Sequence, residues 1–386
     1  MENHTQILMD IIRSEICGET PDLSGFLMLT EEEQKELVKL AAHHSVEQFL
    51  GDALGKNPES AELPVMRKLL RSTLIALNQV TKNDLERKKI AQLFEEERIP
   101  FLPLKGARIR PYYPKPWMRT SCDIDILVPE AKVEQAAQLL VRNLSYRLET
   151  HNFHDVSLFS PSGIHLELHF SLLENQQPMD RVLERVWQYS APVRAGSMEY
   201  AQSNEYFLFH LTAHLVYHLT AGGCGIRPFV DLFVLREMLP FDEKQVEQLC
   251  EEAGILTFWH NAWQLVDVWF CGKEHTQITQ RLERFILDGG TFGTAENHIA
   301  VGKTRNGGKA RYLWSHIWIP TTVLSVMYPI LRTSPWLMPL YQVRRWLRVM
   351  HWGEAKDVWN RVRLVRQEDP DSAADIRTML QDNGLL

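Results

Sequence analysis

The sequence predicts an α+β fold, in which a small mixed sheet lies between two largely helical regions. Three observations predict it. The stretch from about Glu62 to Glu97 is rich in Leu, Lys, Glu and Arg and has no internal Gly. Short apolar runs broken by Pro and Gly occupy residues 99–170, and from about Asn204 onward helical periodicity returns. Helices, then strands, then helices differ from the regular alternation of strand and helix that builds a doubly wound sheet. The expected division is an N-terminal helical region (1–98), a sheet domain (99–200) and a C-terminal helical domain (201–386).

In chain order, Val46, Phe49 and Leu50 fall at i, i+3 and i+4, a helical spacing. Pro64 suits the first turn of the long helix that follows, where its missing N–H costs little. Phe101–Leu104 is a short apolar run ending at Lys105-Gly106, which reads as a buried strand closing in a turn. A brief helix over Ala107–Arg110 should stop near Pro111, Pro114 and Pro116. Asp123–Val128 alternates polar and apolar residues as a strand does, and Pro129 ends it. Glu130–Leu144 has the period of an amphipathic helix. Val156–Phe159 and Ile164–Phe170 flank Ser160-Pro-Ser-Gly163, a hairpin pattern. The Gly-rich segment Gly289–Gly308 is expected to be a mobile loop.

Of the 386 residues, 45% are hydrophobic and 24% charged, the composition of an ordinary globular chain able to bury a core. The five cysteines form no CxxC pair, which argues against a zinc ribbon or a disulfide framework. The first residues lack a basic segment followed by a long apolar one, so a signal peptide is not expected and a cytoplasmic setting is. No internal repeat is visible.

The chemistry-bearing pattern is a pair of carboxylates. Residues i and i+2 of a strand share a face, so Asp123 and Asp125 project together while Ile124, Ile126 and Val128 face the core. Adjacent carboxylates repel unless a cation lies between them. Oxygen ligands of this kind suit magnesium, which also binds phosphates. The best third acid is Glu167, on a strand whose His165, Glu167 and His169 share one face and whose Leu166, Leu168 and Phe170 share the other.

Leu104-Lys-Gly106, followed by Arg119-Thr-Ser-Cys-Asp-Ile-Asp-Ile-Leu-Val128, resembles the signature of the uncharacterised nucleotidyltransferase family of the DNA polymerase beta-like superfamily. The likeness continues in the Leu-His pair after Glu167 and in a His-rich helix with a later Arg and Asp, here His210, His214, Arg227 and Asp231. It runs from about residue 30 toward the Pro- and aromatic-rich end. The resemblance implies a palm-like sheet, a nucleoside triphosphate such as ATP, and magnesium, with two ions expected. Asp123 and Asp125 match the superfamily's paired acids, and Glu167 matches the third. Two departures stand out: Lys105-Gly106 replaces the superfamily's Gly-Ser, as in this family, and the third acid is Glu, one methylene longer than Asp.

On this reading Asp123, Asp125 and Glu167 are both the catalytic and the metal-binding residues. Lys105, Gly106, Arg119 and Ser121 would hold the nucleotide. Lys105 precedes a helix start where backbone N–H groups favour phosphate. Arg119 either clamps phosphate or pairs with an acid. Ser121 is either a phosphate donor or a turn residue. His169, His214, Arg227 and Asp231 would line the substrate pocket. His210, His214 and His218 recur every four residues and so share a helix face, but no Glu stands beside the first as zinc proteases require. Arg227 and Asp231 are also four apart, which allows a simple ion pair along one helix. His154-Asp155 resembles a metal-binding dyad but lies beside a strand and is set aside. The expected activity is transfer of a nucleoside monophosphate to a hydroxyl acceptor of unknown identity, with pyrophosphate released. The alternatives are a catalytically inactive nucleotide-binding or interaction protein of the same fold, and a hydrolase built on the His-rich helix.

Charge is uneven along the chain. Between Val301 and Arg366 twelve Lys and Arg face two acids, within a chain of net charge −7. Such an excess fits weak contact with a membrane surface or polyanion, or packing on an acidic body. Tyr312–Leu331 has no Asp, Glu, Lys or Arg, yet Pro320, Pro329 and several hydroxyl residues lower its hydropathy. Buried core helices are the favoured reading of that stretch. Interfacial binding through Trp314, Trp318, Trp336 and Trp346 with Arg332, Arg344, Arg345 and Arg348 comes next, and a membrane span last. No obligate protein partner is inferred.

Overall fold

The structure is a computed structural model describing residues 2–351 and 370–386, apart from 153, 175, 292, 322, 323, 326 and 327. Four of the uncharged residues in Tyr312–Leu331 and four cations of the basic region (Lys356, Arg361, Arg363 and Arg366) therefore lie outside the described residues.

The chain is mixed α+β, as expected, with a five-stranded mixed sheet. The N-terminal helices are α1 (Glu2–Cys17), α2 (Ser24–Leu27), α3 (Glu31–His43), α4 (Glu47–Gly55) and the long α5 (Met66–Glu96). Thr30 starts α3 through a reciprocal cap: its hydroxyl accepts the Glu33 N–H, and the Glu33 carboxylate accepts the Thr30 N–H at 2.9 Å. Pro64 precedes α5 rather than lying within its first turn.

The sheet begins with β1 (Leu102–Pro103), followed by α6 (Lys105–Ile109), β2 (Asp123–Leu127), α7 (Val133–Leu144), β3 (Arg147–His151), β4 (Asp155–Phe159) and β5 (His165–His169). Its spatial order is β1-β2-β5-β4-β3. β2 and β5 run parallel, and the other pairs run antiparallel. The anticipated turn at Lys105-Gly106 is the first turn of α6, so that helix starts two residues earlier than expected. Strand β3 has all its residues exposed and lacks the apolar alternation that would have marked it.

After α8 (Met179–Leu183), a two-stranded ribbon forms from β6 (Ser190–Pro192) and β7 (Tyr200–Gln202). Then come α9 (Asn204–Ala221), α10 (Arg227–Met238), α11 (Glu243–Glu252), α12 (Leu256–Cys271), α13 (Gln277–Gly289), α14 (Ala295–Arg305) and α15 (Lys309–Ile317). Two further helices follow, Met338–His351 and Pro370–Asp382.

The pleat of β2 and β5 sorts two cores. Ile124, Ile126, Val128, Leu166 and Leu168 pack with Ile90 and Phe94 of α5 and Ala136 and Leu140 of α7. Leu127, on the opposite face, belongs to a second core that joins N-terminal to C-terminal helices, from Leu8, Phe26 and Phe49 to Phe207, Phe229 and Trp259. The front of the sheet thus looks toward the helical body, and its back rests on α5 and α7. Each fully buried Leu or Ile in these layers contributes about 1.5–3 kcal/mol of transfer free energy.

The expectation of a mobile loop at Gly289–Gly308 is corrected by α14. Thr294 caps this helix by accepting the Asn297 N–H at 3.1 Å. Most of the glycines flank the helix instead of interrupting it. Gly302 lies inside it because the Tyr312 ring occupies the space a β-carbon would take. Gly302→Ala should therefore cost about 1–3 kcal/mol in urea denaturation, since an overpacked site must shift its neighbours. Gly55→Ala, where nothing lies within 4 Å of the new methyl group, should leave the midpoint unchanged or slightly raised.

Candidate active site

The site forms where β2 and β5 run side by side. The register sets Asp125 directly opposite Glu167 and Asp123 opposite His165. Paired residues of neighbouring strands share a face, and so do residues two apart, so Asp123, Asp125, Glu167 and His169 all project to the front. The His169 ring lies between two acids, its Nε2 3.1 Å from Asp125 Oδ1 and 3.3 Å from Glu167 Oε2. Ligand atoms of Asp125, Glu167 and His169 lie within 4.8 Å of one another, and they make the one such group among the described residues. His154 stacks on His169 with ring centroids 5.7 Å apart.

Lys105 reaches this cluster through the backbone. The Leu104 N–H bonds to the Asp125 carbonyl at 3.0 Å, so the chain leaves the edge of the sheet directly beside Asp125. Lys105 then takes a φ of +41°, which is left-handed for a residue with a side chain, and its Nζ donates to Asp125 Oδ1 at 3.1 Å. That conformation costs about 1–3 kcal/mol and recurs at functional sites.

The charges are strongly coupled. Burial would raise the Asp125 carboxyl, but Lys105 and His169 outweigh it and hold the group well below the usual carboxylate range. Burial, and then the neighbouring Asp125, pushes Asp123 up. Hydrogen bonding to His169 holds Glu167 down despite burial. The His169 imidazole, which burial alone would discharge, is lifted to about 9 by its two carboxylate partners. Three acids on one face thus meet two cations.

The remaining sequence-selected residues divide into two groups. Arg119, Arg227 and Asp231 form a buried network between the loop before β2 and helix α10. Arg119 Nε donates to Asp231 Oδ1 at 2.6 Å, and the Tyr113 hydroxyl donates to the same oxygen at 2.6 Å. Arg119 and Arg227 both donate to the Thr120 carbonyl, at 2.8 and 3.2 Å. Asp231 therefore pairs across the chain with Arg119, not along its own helix with Arg227. Of the two guanidinium groups only Arg119 bonds the carboxylate, and the Arg227 Nε is buried without a hydrogen-bond partner. Ser121 receives a hydrogen bond from Arg110 at 2.9 Å and donates to the Asp123 carbonyl at 3.1 Å, which locks the approach to β2. A β-carbon added at Gly106 would meet the Ser121 side chain at ordinary contact distance. A narrow crevice bounded by Gly106, Ala107, Arg110, Ser121 and Asp123 opens beside the acids.

The second group is the histidine face of α9. His214 Nδ1 lies 3.3 Å from Glu174, and His214 Nε2 lies 2.9 Å from His218 Nε2. His210 pairs with Gln202 at 3.2 Å. Burial, then the nearby Lys105, keeps all three imidazoles neutral, with His210 down to about 3 and His218 to about 4. Burial also raises Glu174 to about 7, so at neutrality it is partly protonated beside a neutral His214. Glu174 and Tyr113 escaped sequence reasoning. Each stands outside any periodic element, and each acquires its partner from a residue 40 or 118 positions away. A cavity of about 970 Å³ lies away from the acids and is lined by Gln176, Met179, Lys303, Arg305 and Arg377 among others.

A family model described as "uncharacterised nucleotidyltransferase" matches residues 30–271, a span that contains every residue of the front face. The chain belongs to this nucleotidyltransferase family. No curated protein matches. Among solved structures, the solution structure of the antibiotic-resistance factor ANT(2'')-Ia is similar to this chain. It is 16% identical, with 50% of this chain and 91% of that chain covered and a TM-score of 0.26. Family membership makes nucleotidyl transfer the general class of chemistry.

Two outcomes test the local geometry. Asp231→Ala leaves Arg119 buried without its partner and should cost about 3–5 kcal/mol by urea denaturation. Lys105→Gly should be more stable than Lys105→Ala by about 1 kcal/mol, because glycine meets no penalty at the positive φ. Equal stability of the two would show that Lys105 carries no strain.

Proposed function

We propose that the chain transfers a nucleoside monophosphate from a nucleoside triphosphate, ATP among the candidates, to a hydroxyl acceptor and releases pyrophosphate. One observation carries this reading: Asp125 stands directly opposite Glu167 on parallel strands, with Asp123 two residues away on the same face. The donor set fits magnesium, since Asp125 and Glu167 supply hard oxygen ligands within 4.8 Å of one another, and the repulsion that Asp123 adds on the same face falls when a divalent cation enters. Asp123, Asp125 and Glu167 would hold the metal, and two ions are the expected number. The chemistry such ions supply is neutralisation of phosphate oxygens and activation of the attacking hydroxyl.

The chain's own residues have the following roles. Glu167 takes the proton of the acceptor hydroxyl. His169, donating to Asp125, fixes the orientation of that carboxylate, as the outer partners of metal ligands do. Lys105 supplies a point charge to the distal phosphates. Gly106 and Ser121 shape the turn that meets the phosphates. Arg227 brings positive charge that Asp231 does not neutralise, because Arg119 already pairs with that acid. Arg119 acts through this network and holds the loop before β2. His214, neutral and beside Glu174, forms a wall of the acceptor pocket. Most of the acceleration on this reading is positioning and charge neutralisation. A cytoplasmic setting remains part of this reading.

A second reading is favoured by the pairing of Lys105 and His169 with Asp125. An acid already compensated by two cations has less need of a metal, as in a nucleotide-binding protein without turnover. Release of pyrophosphate from labelled ATP and GTP with magnesium separates the two readings. Asp123→Asn and Asp125→Asn should each abolish that release while circular dichroism stays unchanged. Wild-type turnover in either variant would overturn the assignment.

Lys105→Ala should weaken triphosphate binding about tenfold or more, the size of one charge-assisted contact, and monophosphate binding far less. Calorimetric titration of both nucleotides with magnesium checks this. Equal losses would mean that Lys105 shapes the pocket and does not grip the triphosphate.

A further inference from the structure

We propose that α15 and the helix Met338–His351 form a docking surface for an anionic lipid bilayer. The proposal does not rest on nucleotidyl transfer. Between Glu296 and Glu354 the chain has no Asp or Glu, but eight Lys or Arg and five Trp. The structure turns part of this set outward. Trp314 and Ile317 of α15 and Trp318 at its C-terminal cap are exposed, spaced at i, i+3 and i+4. Around the second helix Trp336 is 76% exposed, and Leu340, Val343 and Leu347 are exposed at i, i+3 and i+7. Lys309, Arg311, Arg344 and Arg348 are exposed alongside them.

The two helices are tied into one unit. Arg345 and the Trp346 indole both donate to the Ile317 carbonyl, at 2.8 and 3.0 Å, and Gln342 donates to the Ile319 carbonyl at 2.5 Å. The exposed side chains therefore project from a fixed junction. No described helix is long and apolar enough to cross a membrane, so the geometry is that of a surface contact.

Three features single out a bilayer. Indole rings favour the interface between headgroups and acyl chains, where an apolar ring and a polar N–H are both accommodated. Nucleic acid would meet the cations but gains nothing from aliphatic Leu340, Val343 and Leu347. A second copy of this surface would bring cation against cation. An apolar stripe edged by cations on short helices is the pattern of interfacial binding.

The test uses the full chain and sedimentation with vesicles of phosphatidylcholine, alone or with 30% phosphatidylglycerol. Binding is expected to the anionic vesicles at low salt and not to the neutral ones. Arg344→Glu with Arg348→Glu should lower the partition coefficient at least tenfold, since each cation near an anionic surface is worth roughly fivefold. Trp336→Ser with Leu340→Ser should lower what binding remains at high salt, where the charge attraction is screened. Wild-type tryptophan fluorescence should be quenched by brominated acyl chains, a readout that needs no variant. Absence of sedimentation with anionic vesicles, unchanged binding by both double variants, or sedimentation without quenching would overturn the proposal. Binding of polyuridylic acid without vesicle binding would overturn it in favour of nucleic acid.

Discussion

The charge balance around Asp125 is the constraint on which the rest of the site depends. A buried carboxylate flanked on one face by two more is unstable in the ionised form unless cations stand close. Lys105 and His169 provide them from opposite sides, one from the edge of the sheet and one from the neighbouring strand. The backbone bond from Leu104 to Asp125 brings Lys105 there, and the left-handed turn at Lys105 aims its side chain. A strained residue held in place by a strand pairing indicates a position where electrostatics outranks local conformational preference.

The same balance explains the placement of the helical body. The front of the sheet cannot be open to bulk water if these interactions are to be strong, because high dielectric would weaken each of them. Helix α9 lies over that side with three histidines that burial keeps neutral. Neutral imidazoles add hydrogen-bonding capacity without adding to the positive charge of Lys105 and His169. Helix α10 contributes Asp231, which ties the Arg119 loop to the body and leaves Arg227 positive. Arg227 in turn donates to the Thr120 carbonyl, on the loop that leads into β2.

The C-terminal module follows a different logic. Lys309, Arg311, Arg344 and Arg348, with Trp314, Trp318 and Trp336, are turned outward, while Arg345 and Trp346 tie its two helices together. The favoured sequence reading of Tyr312–Leu331, buried core helices, describes Tyr312, Leu324 and Leu331, which are buried, but not Trp314 and Trp318, which are exposed. Composition cannot tell a buried indole from an interfacial one, because both occur in apolar, acid-poor segments.

The α+β order was legible in the sequence because periods of two and of about 3.6 are written directly in the residues. The shared face of Asp123 and Asp125, the polar front of Glu167 and His169, and the apolar back of the sheet follow from strand geometry alone. Strand β3 was not legible, since its exposed residues carry no alternation, and α14 was hidden by glycines that read as a loop. What only the tertiary structure decided is pairing. The parallel register sets Asp125 against Glu167, Asp231 meets Arg119 rather than Arg227, and Glu174 meets His214. Each of these contacts joins residues 40 or more positions apart, and a distance of that kind is created by packing, for which no local pattern of residue types exists.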